Sequence, residues 1–332
     1  MKPIVARKVT VLHHDNCFDG TASATVFSAF YRAVVDPQGR FRYRGVHHRI
    51  GNPFEPRWFD GDVNTVLDFR YTTTAKLTWW FDHHASAFAN AEERAHFEAD
   101  RSGRKFYDPK ARSCTKFIAR VAGEQFGWDP GPLRDLIDWA DLIDGAQFPS
   151  ARFAVELREP ALQLMTVIEA NRDREFLPGI IAALGTDPID RVAARGDVQA
   201  RFAALRAGHE KTIETVRVRA EEREGVVLYD LSDVRMDSIN KFIAYYLFPD
   251  CRYTVAVSLS DTRAKVSVGS NPWSAVPRRH DLARLCERYG GGGHPVVGAI
   301  SLLPADIERA RGTAREIAEE LRRPLDAPTT PP

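Results

Sequence analysis

Six of the ten histidines stand in three tandem pairs, His13-His14, His47-His48 and His83-His84, all in the first third of the chain. The first pair opens the run His13-His14-Asp15-Asn16-Cys17-Phe18-Asp19-Gly20, which gathers two imidazoles, a thiol and two carboxylates. Carboxylates suit hard divalent cations, whereas imidazole and thiolate suit Mn, Fe, Co and Zn. A polar turn with a helix N-cap accounts for the same residues equally well. Asp82-His83-His84 directly follows the apolar run LTWWF. Ionisable groups beside a buried strand are costly unless paired or metal-bound, so the metal reading leads there. Asp68 closes the run VNTVLDF; by itself it reads as a strand-ending turn. Asp138, Asp141 and Asp144 recur every third residue, which brings neighbours near one helical face, either as ligands or as a solvated acidic surface. Jointly these groups supply about eight ligand-type side chains, enough for two divalent cations that share a carboxylate and drive displacement at phosphorus. Far downstream, Gly290-Gly291-Gly292-Gly293-His294-Pro295 offers consecutive backbone N–H groups to a phosphate, with a flexible loop as the plain alternative.

These residues need elements to position them. Residues 8–14 (KVTVLHH) read as a buried strand, and TASATVFSAFYRAVV as the helix after it, capped by Asp19 or Thr21. Further strands are expected at 41–47, 63–69 and 77–81, with helices around 86–99 and 113–126. Strands alternating with helices predict a parallel α/β sheet, whose ligand site lies at the carboxyl ends of the strands. The polar clusters sit at those ends. A helix is expected within 130–150, and helical segments over 152–185 with breaks at Pro160 and Pro178. The stripe Phe202, Leu205, His209, Ile213, Val216 and Ala220 predicts a partly exposed connecting helix over 198–224. A second α/β pattern follows: strands at 226–231, 252–259 and 264–269, helices at 237–247 and 280–289, the glycine run with its strand, and a last helix over 305–323. The tail from 324 to 332 reads as disordered.

The 332 residues carry 46 basic and 45 acidic side chains, so no bulk electrostatic grip on long duplex DNA is expected. No apolar run approaches the roughly 20 residues of a membrane helix, and the first residues do not read as a signal peptide. The four cysteines, Cys17, Cys114, Cys251 and Cys286, lack CxxC spacing, and a reducing cytoplasm is the expected location.

In this order the motifs resemble those of the DHH phosphoesterase superfamily with its C-terminal DHH-associated domain. Asp82-His83-His84 match the motif that names the family, His13 and Asp19 the first motif, Asp68 the second, and GGGGHPVVGA the glycine-rich signature of the associated domain. For the fourth motif Asp141 is preferred and Asp144 is the alternative. The resemblance implies a parallel-sheet catalytic domain over 1–150, a helical extension over 151–224 and a smaller α/β substrate-binding domain over 225–323. It implies two divalent cations, expected to be Mn2+. His13, Cys17 and Asp68 would hold one, while Asp19, Asp68, His83 and the motif-four acid would hold the other. Asp82 would orient its neighbours, and His84 would meet the scissile phosphate. Gly291, Gly292, Gly293 and His294 would bind a second phosphate. Two departures stand out: Cys17 replaces the first aspartate of motif one, and Gly269 lies where relatives often carry an arginine. The implied activity is hydrolysis of phosphodiester or phosphomonoester bonds in short RNA or DNA oligonucleotides or small nucleotides. A nucleotide-binding module with impaired chemistry, favoured by Cys17, and a pyrophosphatase are the alternatives. The oligomeric state is left open, a homodimer included.

Overall fold

The strand of KVTVLHH forms as expected: in the computed structural model, which describes residues 6–49, 51–234 and 239–323, it is β1 (Lys8–His14). Four strands run parallel with it or with one another: β2 (Arg40–Val46), β3 (Val63–Leu67), β4 (Trp79–Asp82) and the short β5 (Lys105–Tyr107). Their order in the sheet is β2-β1-β3-β4-β5. The strand order reverses at β1 and β3, and such a switch point opens a crevice at the carboxyl ends of those strands.

Both faces of this sheet are covered, as a parallel sheet requires. Paired residues of neighbouring parallel strands point the same way, so Val11, Thr65 and Trp79 share one face, as do His13, Leu67 and Phe81 beyond them. That face meets α1 (Phe18–Val34), where Phe27 packs edge-on against Trp79 and Phe81. The opposite face carries Leu12, Val66 and Trp80 into a cluster with Phe54, Phe59, Phe69 and Tyr71. Helix α1 is buried along most of its length because its first half is made of small residues, Gly20-Thr21-Ala22-Ser23-Ala24. Its cap is Cys17, without a side-chain capping bond, rather than Asp19 or Thr21.

Helices α2 (Ala91–Ala99), α3 (Cys114–Phe126) and α4 (Arg134–Asp144) follow, then α5 (Ala151–Glu156), α6 (Pro160–Glu169), α7 (Phe176–Leu184) and α8 (Ile189–Ala193). Pro160 starts α6 rather than breaking a helix, and Pro178 sits in the first turn of α7, where a missing N–H costs nothing. Helix α9 (Gly196–Arg219) is the expected connector, but residues after it form a strand, β6 (Glu221–Arg223), not more helix.

The chain divides into two compact units, residues 1–148 with 158–205, and residues 149–157 with 206–332; the boundary falls inside α9. The second unit is built on β6, β7 (Val226–Asp230), β8 (Tyr253–Leu259), β9 (Ala264–Ser270), β10 (Gly292–His294) and β11 (Val297–Leu302), in the order β10-β11-β9-β8-β7-β6. Among the described residues of this sheet only β7 and β8 pair in parallel. Helices α10 (Ile243–Leu247), α11 (Leu282–Glu287) and α12 (Ile307–Arg322) complete it, with Leu282, Leu285, Cys286, Ala314 and Ile317 packed on Val255, Val266 and Val268. The expected helix over 237–247 begins outside the described residues, and so does the tail from 324. No described helix is long and apolar enough to cross a membrane.

Candidate metal centre

The turn after β1 brings its side chains to the crevice. Asn16 adopts a left-handed conformation (φ 51°), and its carboxamide donates to the backbone carbonyls of Ile168 and Asn171. Helix α1 then starts directly beneath the end of β1. A Cβ on Gly20 would collide with the His14 carbonyl, so glycine is required for this approach. Cys17 and Asp19 therefore leave the first turn of α1 beside the strand ends. The Asp19 carboxylate accepts the Cys114 N–H at 2.6 Å and the Thr115 N–H at 3.0 Å, the opening N–H groups of α3.

Asp68 lies at the centre. It follows β3 with φ 55°, a left-handed backbone that costs about 1 kcal/mol or more and recurs at functional sites. Its N–H donates to the Phe81 carbonyl at 2.9 Å, which locks the turn against β4. One carboxylate oxygen, Oδ2, is 3.4 Å from His14 Nδ1 and 3.6 Å from Cys17 Sγ. The other, Oδ1, is 3.4 Å from His83 Nε2 and 3.8 Å from His84 Nδ1. His83 Nε2 also faces Asp144 at 3.4 Å and Asp19 at 3.8 Å. Among the described residues three ligand-type groups result, His14–Cys17–Asp68, Asp68–His83–His84 and Asp19–His83–Asp144, with ligand atoms of each within 4.8 Å of one another.

A layer of supporting bonds aims these groups. His83 Nδ1 donates to the Ala111 carbonyl at 2.9 Å, which turns Nε2 towards the acids. Asp82 is fully buried at the end of β4; its Oδ1 accepts the His83 and His84 N–H groups and lies 2.7 Å from His84 Nδ1. The charges are crowded. Burial, then Asp68 and Asp144, push the Asp19 carboxyl well up, and burial with Asp68 raises Asp144 to about 6. Burial opposes charge at Asp68 too, but the approach of His14 and His83 outweighs it and holds that carboxyl well below its usual range. The same contest at His83 ends in the charged form: burial lowers it, Asp68 and Asp19 raise it to about 10. Burial, then the Asp68 and Asp19 charges, push the Cys17 thiol well up.

The donor set fits divalent cations. His14 Nδ1, Asp68 Oδ1 and His83 Nε2 are buried and lack a hydrogen-bond partner, an expensive arrangement that metal coordination resolves. The carboxylates of Asp19, Asp68 and Asp144 crowd around His83, and a bound cation would compensate their charge and compete with the His83 proton. Imidazole, carboxylate and thiol together suit Mn, Fe, Co or Zn more than Mg alone.

The sequence-derived residues divide as follows. Cys17, Asp19, Asp68, His83, His84 and Asp144 come together, with Asp82 behind them. His13 belongs to none of the three groups: strand alternation turns it under α1, where it is buried, and brings His14 to the crevice instead. Asp141 is likewise elsewhere, bonded to Arg112 and Lys116 at 2.9 and 3.0 Å, and it is Asp144 that lies beside His83. The two-residue alternation of β1 signals that only one of the pair can reach the crevice, but not which one. In the second unit, Gly291 to His294 form the edge hairpin of β10 and β11. A Cβ on Gly291 or Gly293 would collide with the backbone of β11, so tight strand pairing already accounts for these two glycines. His294 is exposed. At Gly269 the Tyr245 hydroxyl occupies the place of a Cβ, which leaves no room for a longer side chain there.

No protein-family model matches the sequence, and no curated protein does. Solved structures do. The pGpG-specific phosphodiesterase PggH from Vibrio cholerae superposes with a TM-score of 0.64 at 20% identity, over 93% of this chain and 98% of its own. RecJ from Thermus thermophilus, in complex with Mn2+, gives 0.55 at 11% identity over 96% of this chain and 53% of RecJ. A DHH domain from a member of the s1p family of ribosomal proteins gives 0.54 at 12% identity, over 96% of this chain and 88% of that domain. The chain therefore has the fold of the DHH phosphoesterase superfamily.

Proposed function

We propose that this protein is a divalent-metal-dependent phosphodiesterase acting on short linear nucleotides, dinucleotides first among them. The observation that carries the reading is Asp68, a buried carboxylate on strained backbone that offers one oxygen to His14 and Cys17 and the other to His83. That is the placement a carboxylate shared by two cations needs. His14, Cys17 and Asp68 would hold one ion, and Asp19, Asp68, His83 and Asp144 the other. Bound there, the ions would supply an activated water and neutralise charge on the phosphate. The chain's own groups do the rest. Asp82 fixes the His84 ring through Nδ1–H and, against burial, favours its protonated form, whose Nε2–H would donate to a phosphate oxygen or to the departing alkoxide. The α3 N-terminus holds Asp19 rigid against its neighbours. The glycine hairpin and His294 are proposed to hold a phosphate in the second unit.

The substrate class rests on the near-neutral charge and on the similarity over nearly full length to a protein described as specific for pGpG. Cytoplasmic location and Mn2+ as the native ion belong to the same proposal. The alternative, a nucleotide-binding module without turnover, keeps one observation in its favour: Cys17, whose burial disfavours the thiolate a ligand requires. Purified protein loaded with Mn2+ is assayed on pGpG, a five-residue RNA, a cyclic dinucleotide and adenosine bisphosphate. Turnover of the linear dinucleotide in preference to the others is expected. Stoichiometric binding of nucleotide with no product would establish the module instead.

A further inference from the structure

The remaining histidine pair, His47-His48, has no place in the metal centre, yet the fold delivers it to the same crevice. In the register of β1 with β2, Val46 lies opposite His14, so the two residues after Val46 emerge beside the turn that carries Asp15 and Cys17. Two bonds hold the segment there. The Asp15 N–H donates to the Val46 carbonyl at 3.0 Å, and His47 Nε2 lies 2.9 Å from Asp15 Oδ2. Gly45 makes the clip feasible, because a Cβ at that position would collide with the Asp15 carboxylate.

His47 is thus consumed as a clip, and His48 is the residue it positions. The His48 ring stacks on Phe69 with centroids 4.6 Å apart and an interplanar angle of 30°. Its neighbour on the other side is His14, edge-on at 5.0 Å, and the His14 ring in turn stands 6.0 Å from that of His84. Phe69 is itself buried and follows Asp68 directly, so the ring that seats His48 is fixed by the turn at the heart of the site. His48 nevertheless remains exposed, and neither ring nitrogen has a hydrogen-bond partner among the described residues. An imidazole held by stacking, with its nitrogens open to solvent at the rim of an anion-handling crevice, is a preorganised donor or acceptor for a ligand.

We infer that His48 is a substrate-binding residue, whose ring N–H bonds a phosphate oxygen of the nucleotide at the lip of the crevice beyond His14. The inference rests on the phosphodiesterase reading for its substrate class, and on the His48–Phe69–His14 geometry for its location. The role requires a hydrogen-bonding nitrogen, which separates it from a role in which the ring merely packs against His14.

The test compares His48→Phe, which keeps a stacking ring and removes the nitrogens, with His48→Gln, which keeps a donor and removes the ring, and with His48→Ala. Equilibrium binding of pGpG to the full chain is measured with and without Mn2+, alongside metal content and steady-state kinetics. The inference expects His48→Phe and His48→Ala to bind about tenfold more weakly or worse, with normal metal content and KM raised more than kcat falls. His48→Gln should retain most of the affinity. If His48→Phe matches wild type, or if metal content falls in His48→Ala while affinity per loaded site is unchanged, the ring is only packing and the inference is overturned. Wild type that binds pGpG without turnover refutes the phosphodiesterase reading, and the Kd comparison among variants then decides the role of His48 alone. Failure of wild type to bind pGpG under either condition overturns both.

Discussion

At the scale of single residues, the site turns on Asp68. Its backbone is held in the left-handed region and its carboxylate is shared between two sets of neighbours. Asp68→Gly removes the carboxylate and relaxes the backbone at once. Activity is expected to fall by more than the roughly 10–100-fold that loss of an outer metal partner costs, with bound metal falling in parallel. Normal turnover with stoichiometric metal in this variant would refute the shared-carboxylate role. Cys17 poses the sharper question. As a ligand its thiolate favours borderline cations, and Cys17→Asp should shift preference towards Mn or Mg while activity is kept. Cys17→Ser should bind the first metal more weakly, and increasingly so than wild type as the cation is made softer. Equal metal content in wild type and Cys17→Ala would remove Cys17 from the ligand set and leave His14 and Asp68 on that side.

At the scale of elements, short strands and their caps hold the geometry. β5 is only three residues long, yet Lys105 within it bonds Asp100, the residue that caps the end of α2, at 2.8 Å. Burial alone would raise the Asp100 carboxyl, but bonds from Lys105 and Ser102 outweigh it and hold it at about 2. The folded value lies below the unfolded one, so the pair contributes stability that is fully present above about pH 4 and is lost as pH falls towards 2. After allowance for partial exposure, that contribution is on the order of 1–2 kcal/mol. Asp100→Asn should lower the unfolding free energy by about this amount at pH 7 and by almost nothing at pH 2. Urea unfolding at the two pH values checks it; an equal loss at both would show that packing, not the ion pair, is what the carboxylate supplies.

At the scale of the whole molecule, the metal groups all lie in one of the two units, the one built on the parallel sheet. A ligand that binds only the folded state stabilises by mass action, about 2.7 kcal/mol at a hundred times Kd. Mn2+ should therefore raise the melting temperature of that unit by several degrees and leave a transition of the other unit, where resolved, unmoved. Calorimetry with Mn2+ and with a chelator distinguishes this from a general salt effect. A shift of both transitions, or of neither, would contradict a centre confined to the first unit.

Much of this was legible in the sequence. The alternation of apolar strands with helices foretold a parallel sheet, and the polar residues at strand ends foretold where its crevice would lie, because side-chain periodicity and strand-end chemistry are local properties. Asp19, Asp68, His83 and the resemblance to the DHH superfamily follow from that local pattern. Which histidine of the first pair enters the crevice depends on which face of β1 lies under α1, and that is decided by packing against Phe27, not by spacing. Asp141 and Asp144 are equivalent by periodicity; only the approach of Arg112 and Lys116 to one, and of His83 to the other, tells them apart. His47 and His48 carry no motif at all, and β5 is too short to signal itself. Their positions follow from strand register and from the turn at Asp68, which bring together residues far apart in the chain and which only the folded sheet specifies.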